Sequence, residues 1–113
     1  MKNKTLKQIE QENINKECEI AYKSCMNELN KNSKYCGQLR SCSASVYETE
    51  NYYILQSYQT FIACIEKSTD VLYDFLRIVY GYTSTSAQHI SKFSHDYCNG
   101  SNKWGCSERL TAR

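Results

Sequence analysis

The sequence contains no proline, and only four of its 113 residues are glycine. Proline costs about 3 kcal/mol inside a helix, so its absence leaves long helices uninterrupted. Gly37, Gly81, Gly100 and Gly105 are too scattered to build a glycine-rich phosphate loop. No apolar run approaches the roughly 20 residues that cross a bilayer, which argues against membrane insertion. Long runs of one charge are missing too. Fourteen basic and twelve acidic residues are interspersed, for a net charge of +2, so there is no basic stripe for nucleic acid. Residues Met1 to Gln8 are polar, unlike the apolar centre of a signal peptide.

What is present fits one small domain, residues 1–113. A chain of this size buries about 65% of its unfolded surface, which supports a modest core. The seven cysteines are far more than a cytosolic protein of this length needs. They point to an oxidising compartment and a secreted, mature chain carrying an added Met1. Cys18, Cys25, Cys36, Cys42, Cys64, Cys98 and Cys106 are all candidates for disulfides. No two have the C-x-x-C spacing of a zinc or redox motif, and no metal or other cofactor is expected. Cys18 and Cys25 lie two helical turns apart and face one way. A helix hairpin turning at residues 27–34 would nest Cys25–Cys36 inside Cys18–Cys42. Pairing among Cys64, Cys98 and Cys106 stays open, with one thiol left over.

The apolar spacing reads as helical throughout. Residues 5–30 place Cys18, Ala21, Cys25 and Leu29 on one face. Ser33 is a candidate N-cap for a second helix through Cys42. From Tyr47 to Tyr82, apolar residues recur at alternating steps of four and three, predicting one helix of about 33 residues or two meeting at Ser68–Asp70. After Thr83–Ser86 a shorter helix turns Ile90, Phe93 and Tyr97 inward. The expected fold is all-α: four to five helices in a small disulfide-stabilised bundle around one long helix. Residues 1–13 and 107–113 are expected to be mobile.

Catalytic patterns are sparse. His89 and His95 lie on poorly aligned sides of their helix, and no Ser/His/Asp or Cys/His arrangement is recognisable. Carboxylate pairs such as Glu48/Glu50 read as solvated faces. The expectation is a non-enzymatic protein. Tyrosine stands out, with ten residues against three phenylalanines. Tyrosine and arginine are enriched at binding hot spots, and Tyr52, Tyr73, Arg77 and Tyr80 are the candidate partner-binding residues. Asn3 and Asn99 match the N-glycosylation acceptor pattern.

A polar-started chain of this length, with cysteines at Cys18, Cys25, Cys36, Cys42, Cys64 and Cys98, resembles the small helical salivary effectors of blood-feeding arthropods. The anopheline SG7 (albicin and anophensin) group is similar in size and expected architecture. The resemblance implies a secreted protein of saliva that inhibits host complement or contact activation by binding protein complexes. Two other readings stand beside it. One is a toxin-neutralising immunity protein of an oxidising bacterial compartment. The other is a carrier of a small apolar ligand held between helices.

Overall fold

In the computed structural model, which describes residues 5–39, 43–98 and 108–113, the segment Tyr47–Tyr82 is not a long helix. It contributes to strands β2 (Ala44–Glu48), β3 (Tyr52–Ser57), β4 (Thr60–Glu66) and β5 (Val71–Asp74), then one helical turn, α2 (Leu76–Val79). The fold is therefore mixed α/β, which corrects the all-α expectation. Two flanking elements complete the sheet. β1 (Lys34–Gln38) stands where a second helix was expected, and β6 (Glu108–Thr111) lies in the tail expected to be mobile. The six strands lie in the order β1-β2-β3-β4-β5-β6. Neighbours are antiparallel except β5 and β6, which run parallel.

The residues explain the strands. β3 reads Tyr-Tyr-Ile-Leu-Gln-Ser and β4 reads Thr-Phe-Ile-Ala-Cys-Ile-Glu. Such aromatic and β-branched runs suit a pleated surface covered on both faces. Tyr52 and Ile54 pack with Cys18, Ala21 and Cys25 of α1 (Leu6–Lys31). Their alternate neighbours Tyr53 and Leu55 pack with Ile90 and Phe93 of α3 (Ser84–Tyr97). The helices thus cover opposite faces. In β4, Leu55 pairs with Ala63 and Gln56 with Phe61, so Ile62 is an extra, bulged residue. Its carbonyl accepts from Phe75 N at 3.1 Å.

Turn chemistry settles the connections. Tyr58 (φ 55°) opens the two-residue turn between β3 and β4, and Asp70 (φ 59°) closes the four-residue turn between β4 and β5. Aspartate tolerates this left-handed region better than most residues. Ser68–Asp70 is thus a hairpin turn and not a helix start. The two helices read most directly from sequence are present. α1 opens with a capping box between Thr5 and Gln8, inside the 1–13 stretch expected to be mobile, and Thr83 caps α3 through Ser86 N.

Candidate functional site

The segment that follows β5 is built from the buried side inward and then turned out. Asp74, 5% exposed, accepts from Leu76 N at 3.1 Å through Oδ1 and from Arg109 Nη2 at 3.2 Å through Oδ2. Phe75 is fully buried, its ring edge-on to Tyr22 of α1 at 5.0 Å. Leu76 enters the core beneath α3. With the first residues of α2 anchored, one turn ends at Gly81 (φ 100°), whose N–H closes on Leu76 O at 3.0 Å. The positive φ suits glycine and turns the chain outward.

This leaves Arg77, Ile78, Tyr80 and Tyr82 at the surface, with Ile78 39%, Tyr80 59% and Tyr82 55% exposed. The Arg77 guanidinium stacks over the Tyr82 ring at 4.6 Å. Beside them is a cavity of about 350 Å³ whose charged lining is Asp74, Arg77, Arg109 and Arg113. Strand β6 supplies Arg109, and Arg113 follows two residues beyond the strand's end. Leu110 and Ala112 turn toward α1, so Arg109, Thr111 and Arg113 take the opposite face. α1 holds this segment in place. Asn15 Oδ1 accepts from Arg113 N at 2.9 Å, and Asn15 Nδ2 donates to Arg113 O at 3.0 Å. Gln11 Nε2 donates to Thr111 O at 3.0 Å.

The other cavity described, about 440 Å³, lies at the end of α1. Its three lysines, Lys31, Lys34 and Lys67, are balanced by Glu28, Glu48 and Glu50. Glu28 is already engaged: Thr49 Oγ1, Asn51 N and Asn51 Nδ2 donate to it at 2.8, 3.0 and 3.0 Å. Lys67 pairs with Glu48 and donates to Thr49 O at 2.8 Å. Positive and negative side chains are equal in number here, whereas the cavity beside α2 carries a cationic excess.

Ser57, Ser86 and His89 form a third constellation. Ser57 Oγ lies 2.8 Å from His89 Nδ1 and 3.1 Å from Ser86 Oγ. All three are 3% exposed or less, so no substrate reaches the hydroxyls. Burial, with the Lys92 charge adding to it, pushes the His89 imidazole below its ordinary range. The network pins β3 to α3 through a neutral histidine. His95 is exposed, 3.3 Å from Asp96.

Of the partner-binding residues expected from sequence, the structure separates two from two. Arg77 and Tyr80 stand together at the surface. Tyr52 is buried at 7% exposure, and Tyr73 is half-buried, both on the sheet face covered by α1. Burial, with nearby Glu66 and Glu17, pushes the Tyr73 phenol up to about 12. Neither side chain belongs to the α2 surface. Sequence reading missed Ile78, Tyr82, Arg109 and Arg113. The alternation Arg109-Leu-Thr-Ala-Arg113 was the available signal for the last two, since it is the two-residue period of a strand.

The nested cysteine bridges do not form, because their helix hairpin does not exist. Cys36 sits exposed on β1, while Cys18, Cys25 and Cys64 are buried; all four are free. Cys98, the C-cap of α3, is disulfide-bonded. Cys42, Cys106, Asn3 and Asn99 lie outside the described residues. Among the described residues no cluster of His, Cys, Asp and Glu could hold a metal ion, and no helix is long and apolar enough to cross a membrane. No family model, curated protein or solved structure matches the chain.

Proposed function

We propose that the chain is a non-enzymatic binding domain that captures an acidic segment of a partner protein on the α2 surface. The observation that carries this is the exposure of Arg77, Ile78, Tyr80 and Tyr82 within six consecutive residues, beside a cavity with three arginines and one aspartate. Tyrosine supplies contact area and a hydroxyl at low entropy cost, and arginine grips a carboxylate with two parallel hydrogen bonds. The guanidiniums are partly organised in advance, Arg109 by Asp74 and Arg77 by Tyr82. Such a domain acts by occupying its partner. Inhibition of a host protein complex by a secreted chain and neutralisation of a cognate toxin are two settings for the same surface. The apolar-ligand carrier is less well supported, since both cavities described have charged linings.

Calorimetry tests the reading with a peptide alternating glutamate and leucine, against its glutamine counterpart. Only the acidic peptide should bind, and Arg77→Glu or Arg113→Glu should weaken it about tenfold or more without moving the unfolding temperature. Equal binding of the neutral peptide, or indifference to both substitutions, rejects the proposal.

A further inference from the structure

Three sulfurs converge beneath α1 and are not used by the binding surface. Cys18 and Cys25 on the helix and Cys64 in the centre of β4 are each fully buried in one apolar cluster, with Tyr52, Ile54 and Phe75 around them. The two helical thiols are directed differently. Cys18 Sγ donates to Leu110 O of β6 at 3.4 Å. Cys25 Sγ donates to Tyr22 O at 3.3 Å, within its own helix, and of the two helical thiols it acts the more strongly on Cys64 in the same buried cluster. We propose that Cys25 and Cys64 form a dithiol that closes to a disulfide under oxidising conditions, clamping α1 to the middle of the sheet, while Cys18 stays a thiol.

The chemistry is a thiol–disulfide exchange with a small-molecule disulfide such as oxidised glutathione. One protein thiolate attacks the oxidant's sulfur, breaking its S–S bond and releasing one glutathione thiolate. The second protein thiolate then attacks the mixed disulfide, forming the Cys25–Cys64 bond and releasing the second glutathione. The protein loses two electrons and two protons, and the oxidant is reduced to two thiols. Burial pushes the Cys64 thiol well above its ordinary range, so little thiolate exists while the core is closed. The bond therefore forms during folding and not by attack on the native surface.

Refolding the reduced, denatured chain in a glutathione redox buffer tests this, followed by alkylation and non-reducing peptide mapping. The expected product links the Cys25 and Cys64 peptides and leaves Cys18 alkylated only after unfolding. The bridge should raise the unfolding temperature on the order of 10 °C. Cys64→Ala, which keeps the Cys98 bridge, should lack that rise. Formation of the Cys98 bridge shows that oxidation has taken place. If Cys25 and Cys64 are both alkylated in that same sample, or either is joined to another cysteine, the proposal is overturned. The acidic-peptide titration is read separately, so failure of either proposal leaves the other standing.

Discussion

His89 shows what burial does to a single side chain. Its ring is placed for Ser57 and has little water around it, so the native protein favours the neutral imidazole. The unfolded chain titrates at the ordinary histidine value, near 6.5, and binds the proton more readily than the native state. Stability from this group is complete above that value. It is lost as pH falls through the window between 6.5 and the lower native value. The unfolding temperature should decline as pH falls below about 6.5, and His89→Gln should flatten that decline. The same substitution should cost about 1–3 kcal/mol at neutral pH, measured by urea unfolding, because the serine hydroxyls lose a matched partner. An unchanged pH profile in the variant would remove His89 as the cause. Nothing in the sequence announced this site. Ser57 and His89 are 32 residues apart, and only the pairing of β3 with α3 brings them together.

At the level of elements, the helices were legible and the strands were not. α3 combines a Thr83 cap with inward Ile90 and Phe93, and no other period fits. In the stretch from Tyr47 to Tyr82, apolar residues are so dense that steps of three and four can be found whatever the fold. A strand buried on both faces lacks the alternation that would reveal it. The tyrosine, isoleucine and valine enrichment was the better guide, as were the polar turns at Tyr58–Gln59 and Lys67–Asp70. Of the site, Arg77 and Tyr80 were legible by residue type. Arg109 and Arg113 were not, because their role depends on β6 pairing in parallel with β5, a partner distant in the chain. The fastening of α1 is open to test at both ends. Burial alone would raise the Glu28 carboxyl, but hydrogen bonds from Asn51 and Thr49 outweigh it and hold the group below its usual range. Glu28→Ala should cost about 1–2 kcal/mol in urea unfolding, and a neutral result would show that the α1 end is held by packing alone. Asn15→Ala should release the backbone of Arg113. Amide exchange across β6 should then speed up while β3 and β4 stay protected, and uniform protection would refute the link.

For the molecule as a whole, a net charge of +2 is too small to steer a partner by itself. Its distribution is what differs between faces. At the end of α1 lysines and glutamates cancel, while beside α2 three arginines meet one aspartate. Fields of exposed charges are screened over about 10 Å at 0.1 M salt, so such a patch acts on encounter more than on the finished complex. The aromatic and apolar members of the surface act after contact, when water has been excluded around them. The two groups should therefore separate kinetically in surface-plasmon measurements against an immobilised acidic peptide. Arg77→Gln and Arg113→Gln should lower the association rate and flatten its dependence on salt, with a smaller rise in dissociation from the lost carboxylate hydrogen bonds. Tyr80→Ala should leave the salt dependence intact and speed dissociation about tenfold, equivalent to roughly 1.4 kcal/mol. If the arginine variants instead retain the full salt response, the cationic excess beside α2 has no part in recognition, and the partner is gripped by the tyrosine and isoleucine surface alone.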